Sequence, residues 1–251
     1  AAAALRTAYR LQRDCPRDVH TDVALAANDL AAVERALGNV ARARELHAEA
    51  LTLRRAGGQP ARIAESLNNL ANSEPDLRQA RALLDEALAL RRAAFGDDDP
   101  LTLQSMTNLA AVSLRLGEPD AARALLREAT GRARQLGALG AEGLAVALRL
   151  LAMTELAADD LAAAEAAIAE SLALDRARLG DGHAKLATPL EMQAKILERQ
   201  DRWREAVATW RQVLDLRRTM LPSGPRPLPL TRCNLGTALV RAGEVPAGAA
   251  E

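Results

Sequence analysis

Aromatic residues are nearly absent from this chain. Two Trp, one Tyr and one Phe make up 2% of 251 residues, which removes the stacking platform that single-strand nucleic-acid binders use. Lysine is as scarce, since Lys185 and Lys195 are the only two. Basic and acidic residues balance at 33 each, for a net charge of +0. That balance leaves no basic excess for nucleic acid or an anionic lipid surface. Cys15 and Cys233 lie far apart and share no metal-type spacing, a usage that fits a reducing cytoplasm better than a disulfide framework. No run approaches the roughly 18 uncharged apolar residues that a membrane span requires.

What remains is aliphatic. Apolar residues reach 49%, and with so few aromatics any core must be built from Ala, Leu, Val and Ile. Ala and Leu favour helix, and strand-forming residues are few, so the fold class expected is all-α. The opening AAAALRTAYRLQRD reads as the last turns of an amphipathic helix, and the closing GEVPAGAAE as the start of an uncompleted unit. On this reading the chain is a segment of a longer protein.

One phrase keeps returning: EALTLRR at 49–55, EALALRR at 86–92, ESLALDR at 170–176 and QVLDLRR at 212–218. Anchored on Glu49, Glu86, Glu128, Glu170 and Gln212, the steps are 37, 42, 42 and 42 residues. Fixed periods of this size mark repeat architectures. Other columns keep the same steps. Ala43, Ala80, Ala122, Ala164 and Ala206 precede the anchors, while Ala50, Ala87, Ala129, Ser171 and Val213 follow them. A Leu-small pair recurs upstream, from Leu30–Ala31 to Leu235–Gly236, and weakens to Gln193–Ala194 once. Gly38, Gly117, Asp159, Asp201 and Gly243 stand between the two halves of their units.

Each half has helical periodicity. Ala80, Leu83, Leu84, Ala87 and Leu88 form one apolar stripe, as do Leu103, Met106, Leu109 and Ala110. FGDDDP (95–100), LGDGHA (179–184) and LPSGPRP (221–227) interrupt the helices. The unit containing NSEPDLRQA (72–80) is shorter by about one turn, with Pro75 at the deletion. Small residues at fixed columns let facing backbones approach closely, and a hairpin too thin to cover its own apolar face is covered by its neighbours. The organisation expected is one array over 1–251. It has a partial helix at 1–18, units at 19–58, 59–96, 97–138, 139–180 and 181–224, and a partial unit at 225–251.

These columns resemble the tetratricopeptide repeat, and the 42-residue period with LNNLA (67–71) resembles its kinesin-light-chain-like subtype, found also in bacterial signalling proteins. The resemblance implies a right-handed α-solenoid of antiparallel hairpins, whose first helices line a concave groove for a peptide or protein segment. The family's His-Pro linkers appear here as Asp99–Pro100 and His183–Ala184.

No catalytic constellation is recognisable, and neither cofactor nor metal is expected. GDDDP reads as a helix start, with Asp99 as the cap before Pro100, because a calcium site needs more oxygens than it offers. His20, His47 and His183 each stand alone, and His47 shares a column with Leu84, Leu126, Ile168 and Trp210. The arginine pairs Arg54–Arg55, Arg91–Arg92 and Arg217–Arg218 close second helices, where cations complement the macrodipole.

Polar residues in the first-helix columns are the binding candidates: Asn28, Asn68, Asn69, Asn72, Gln104, Thr107, Asn108, Arg115, Arg149, Glu191, Lys195 and Asn234. Side-chain amides donate and accept at once, which suits the backbone of an extended peptide. Arg115 and Arg149 would bias the groove's charge. The reading is a cytoplasmic, non-enzymatic interaction scaffold with a protein or peptide partner, and with neither nucleic acid nor membrane. Two alternatives stand beside it. One is a peptide-sensing domain of a bacterial kinase, NTPase or transcription regulator. The other is a structural spacer that self-associates through its exposed terminal repeats.

Overall fold

A computed structural model describes residues 2–13, 20–219 and 228–244. Among the described residues every regular element is helical: α1 (Ala2–Arg13), α2 (His20–Ala36), α3 (Val40–Ala56), α4 (Pro60–Ala71), α5 (Leu77–Phe95), α6 (Pro100–Arg115), α7 (Pro119–Gln135), α8 (Ala141–Ala157), α9 (Leu161–Leu179), α10 (Ala187–Arg199), α11 (Trp203–Thr219) and α12 (Leu228–Ala242). Single 3-10 turns at Gly137–Leu139 and Ala184–Leu186 precede α8 and α10. The fold class is an all-α solenoid of antiparallel helix hairpins. Cys15 and LPSGPRP lie outside the described residues. No helix among those described is long and apolar enough to cross a membrane.

The turn column behaves as one structural device. Gly38, Gly117, Asp159, Asp201 and Gly243 all take positive φ, between 58° and 85°. Each sits where a helix ends in the left-handed conformation, so the next residue's N–H can reach back five residues to an otherwise orphaned carbonyl. The bonds are Asn39 to Glu34, Glu118 to Ser113, Asp160 to Glu155, Arg202 to Leu197 and Glu244 to Leu239, at 2.8–2.9 Å. The shortened α4 has 12 residues where α2 has 17, and it ends at Ala71 without a left-handed residue. Asp76 then caps α5 by accepting from the backbone N–H groups of Arg78 and Gln79. Asp99 caps α6 by accepting from Leu101 N–H at 2.8 Å, with Pro100 at the first helical position.

The chain divides into two compact units, Ala1–Leu125 and Leu126–Glu251. In the first, α2 packs on α3, α3 on α4, α4 on α5 and α5 on α6, with α1 laid against α2. Its core holds Tyr9, Ala24, Ala27, Leu30, Leu46 and Ala50 in one cluster and Leu51, Ala64, Leu67 and Leu70 in the next. In the second unit α8 packs on α9, α9 on α10, α10 on α11 and α11 on α12. Fully buried Leu148, Ile168, Leu190 and Trp210 fill its core. The alanine column is sealed throughout, with Ala43, Ala80, Ala122, Ala164 and Ala206 each 0% exposed. Ser171 keeps the second small column closed because its hydroxyl donates to the Ala145 carbonyl at 2.9 Å.

Two glycines separate dihedral cost from steric cost. A Cβ on Gly117 would meet nothing within 4 Å, whereas one on Gly140 would lie 2.4 Å from the Ala133 carbonyl oxygen. Gly117→Ala is therefore expected to destabilise by about 1–2 kcal/mol through its backbone angle alone. Gly140→Ala should cost about 1–3 kcal/mol through overpacking, while Asp159→Gly relieves the backbone angle and loses only an exposed pair with Arg199, about 0–1 kcal/mol. Urea denaturation midpoints of the three variants check the ranking.

Candidate functional site

The structure gathers five of the twelve groove candidates around one cleft of about 480 Å³ in the first unit. Asn68 and Asn69 come from α4, Asn72 from its C-cap, and Gln104 and Asn108 from α6, while Arg91 of α5 forms part of the wall. The Asn72 N–H still donates to the Asn68 carbonyl at 3.1 Å, so positions 68 and 72 lie one turn apart, like 104 and 108 on α6, and each pair projects from one face. Arg62, Glu65 and Leu101 edge the opening.

The amides in this cleft are not equivalent. Asn68 is 3% exposed, and its Nδ2 donates to the Ala64 carbonyl at 3.0 Å and to Ser105 Oγ at 2.9 Å. Its Oδ1 accepts from Asn108 Nδ2 at 3.1 Å. Asn68 is thus bonded into the scaffold and holds Asn108 in place. The Gln104 carbonyl oxygen accepts from Arg91 Nη1 at 3.2 Å. Asn69 is half-buried and Asn72 exposed, and neither side chain has a hydrogen-bond partner among the described residues.

The other candidates are dispersed. Asn28 is buried at 5% exposure between His47, Arg54 and Ser66. With Oδ1 turned toward Arg54, 3.2 Å from Nη1 and 3.1 Å from Nη2, its Nδ2 donates to His47 Nδ1 at 2.8 Å. Thr107 is buried, and its hydroxyl donates to the Leu103 carbonyl at 2.9 Å. Arg115 is exposed near the end of α6, and Asn234 is half-buried on α12. In the second unit Arg149 lies 2.8 Å from the buried carboxylate of Asp175. Glu191 pairs with Arg217 and, at 3.3 Å, with Lys195. Arg149 and Glu191 therefore act first as partners within their own hairpins.

The arginine pairs need a different account from the macrodipole. The first member of each is drawn inward: Arg54 and Arg91 are 5% and 3% exposed. Arg54 Nη1 donates to the Arg62 carbonyl at 2.9 Å, to Glu65 at 3.0 Å and to Ser66 Oγ at 3.1 Å. Arg91 Nη1 repeats this on α6 with the Leu101 carbonyl, Gln104 and Ser105 Oγ. Arg217 bonds Thr231 Oγ1 on α12. Each of these three arginines latches one hairpin to the first helix of the next. The second members stay at the surface, with Arg55 on Glu86 and Arg218 on Asp215.

A signal for this lay in the sequence. The latch column reads Arg54, Arg91, Ala133, Asp175 and Arg217, and where it turns acidic at Asp175 the facing first-helix residue is Arg149. Where it returns to Arg217, the facing residue is Glu191. Opposite charges at positions 26 apart mark these contacts.

A cleft of about 350 Å³ in the second unit stands at the same repeat position. Arg149, Asp175, Lys185 and Thr188 line it, where Asn68, Arg91, Leu101 and Gln104 line the first. The geometry recurs while the chemistry changes from amide to charge. Among the described residues no group of three or more His, Cys, Asp or Glu side chains could hold a metal ion.

Helix hairpins joined through sealed small-residue columns, with a cleft between successive first helices, define a helical repeat protein. The tetratricopeptide repeat pattern matches residues 23–56, 62–135 and 143–219, and the chain belongs to that family. Its fold is similar to that of BtubC (BKLC) from P. vanneervenii at a TM-score of 0.70 and 19% identity, covering 90% of this chain and 92% of that one. It is similar also to a Podosopora anserina protein described as a kinesin light chain with nearly identical TPR-like repeats. There the TM-score is 0.64 and the identity 19%, over 79% of this chain and 96% of that one. No curated protein matches the sequence. The family generally mediates protein–protein interaction.

Two measurements follow from the buried polar groups. Arg149→Met leaves Asp175 with Arg178 alone and should destabilise by about 1–3 kcal/mol, with Arg149→Met/Asp175→Leu recovering most of the loss in urea unfolding. His47 is held neutral by burial, and the positive charges of Arg35 and Arg54 add to the effect, so its pKa falls to about 4. Between pH about 6.5 and 4 the unfolded chain takes up a proton that the folded chain refuses. Stability is therefore complete above pH 6.5 and declines as pH falls to 4. His47→Leu should remove that part of the slope. The carboxylates held low, such as Glu34 at about 2 through hydrogen bonds from Arg6 and Asn39, should still lower stability at more acidic pH.

Proposed function

We propose that the chain is an interaction scaffold that receives an extended segment of a partner protein in the cleft between α4 and α6. One observation carries this reading. Asn69 and Asn72 present unengaged amides beside a bonded Asn68–Asn108 pair that fixes the wall behind them. A side-chain amide matches the alternating donors and acceptors of a peptide backbone. A rigid wall also avoids the ordering cost that a flexible site would incur on binding. The cleft volume of about 480 Å³ lies within the usual range for ligand pockets. Family membership supports the class of function, and the cleft supports the mode.

The test uses peptides selected from a displayed random-peptide library against the full chain. Asn69→Ala/Asn72→Ala should weaken the selected peptides about 10-fold or more, at about 0.5–1.5 kcal/mol per lost hydrogen bond, with an unchanged melting temperature. Asn68→Ala should instead lower the melting temperature, because Ser105 and Asn108 lose their partner. Equal binding by the native chain and the double variant would remove the cleft from consideration.

A further inference from the structure

Arg91 is unlike the other charged members of its column. Arg54 has Glu65 at 3.0 Å, Asp175 has Arg149 at 2.8 Å, and Arg217 has Glu191. Arg91 has no carboxylate at ion-pair distance among the described residues, although it is 3% exposed. Only Nη1 is satisfied, by a carbonyl, an amide oxygen and a hydroxyl. Nε is buried without a partner, and among the described residues no hydrogen bond engages Nη2. Glu65 and Asp99 act on the guanidinium only from a distance, and burial lowers its pKa. Glu65 is itself engaged by Arg54.

A buried cation without a countercharge is costly. A hydrophobic wall would avoid the cost, yet this guanidinium borders the cleft already described. Arg62 and Arg91 against Glu65 leave the charged lining one unit positive. Gln104, whose oxygen is held by Arg91, stands beside it, and its amide nitrogen has no partner among the described residues.

We infer that the segment received by this cleft carries an acidic side chain whose carboxylate supplies the missing countercharge to Arg91, with Gln104 as a second donor. This rests on the cleft reading above and narrows it to acidic peptides. Arg91 serves in turn as latch and as anion contact. Its Nη1 holds α6, and the residue lines the cleft that receives the segment.

The experiment takes the library-selected peptides, made synthetically with amidated C-termini. An acidic residue at a fixed position is expected, and its Asp→Asn or Glu→Gln isostere should bind the native chain about 10-fold more weakly. Against Arg91→Gln the two peptides should bind alike. Because that variant also removes a latch, the Arg91 Nε–Hε NMR signal of the native chain gives a second reading. It should move with the acidic peptide and much less with its amide isostere. Peptides that lose affinity in Asn69→Ala/Asn72→Ala but show no acidic preference would overturn the carboxylate inference and leave the cleft reading standing. A free C-terminus that replaces the acidic side chain without loss would overturn the side-chain source. Peptides indifferent to Asn69→Ala/Asn72→Ala, or no selected peptides at all, would remove both readings.

Discussion

Close approach of helix backbones at the alanine columns is the constraint on which the rest of this protein depends. Ala43, Ala80, Ala122, Ala164 and Ala206 are fully buried, so nothing larger fits between the two helices of a hairpin without moving one of them. Once the helices are that close, the turn joining them must be tight. The left-handed residue with its five-residue-back hydrogen bond is the shortest way to end one helix and reverse. The turn in turn sets where the next helix begins. The spacing of 42 residues is the outward sign of this chain of consequences, and the unit with a step of 37 shows what happens when the first helix is cut short. The left-handed closure disappears, and Asp76 takes over by capping the following helix.

Much of this was legible in the sequence because packing by small residues leaves a mark in every repeat. Ala80 and Leu84 are buried because they are spaced for one helix face, and Gly117 and Asp159 share a column because they share a dihedral angle. The site was less legible. Asn68 and Asn69 are neighbours in sequence, yet each residue of a helix is turned about 100° from the last. That rotation places Asn68 in the scaffold and leaves Asn69 at the cleft. Composition and column position do not separate two asparagines that a single turn angle assigns to different tasks.

The buried arginines escaped for another reason. At the end of a helix an arginine that faces solvent and one that reaches the next hairpin occupy the same kind of position, and both complement the helix dipole. Reading the second helices alone favours the surface reading. The inward direction shows only when two columns are compared across a hairpin, as with Arg149 against Asp175 and Glu191 against Arg217. Polar groups here do structural work that an aliphatic core of Ala and Leu does poorly, because apolar contacts are tolerant of sliding while a forked hydrogen bond to Ser66 or Ser105 is not.

The reversed polarity of these two pairs has a consequence for the history of the chain. Repeat proteins lengthen and shorten when neighbouring units recombine. A crossover that set the first helix carrying Arg149 against the second helix carrying Arg217 would bury two like charges, and the reciprocal product would bury Glu191 beside Asp175. Both products would be destabilised at birth. Only exchanges that keep each hairpin whole preserve both pairs, so each of these two hairpins has become an indivisible unit.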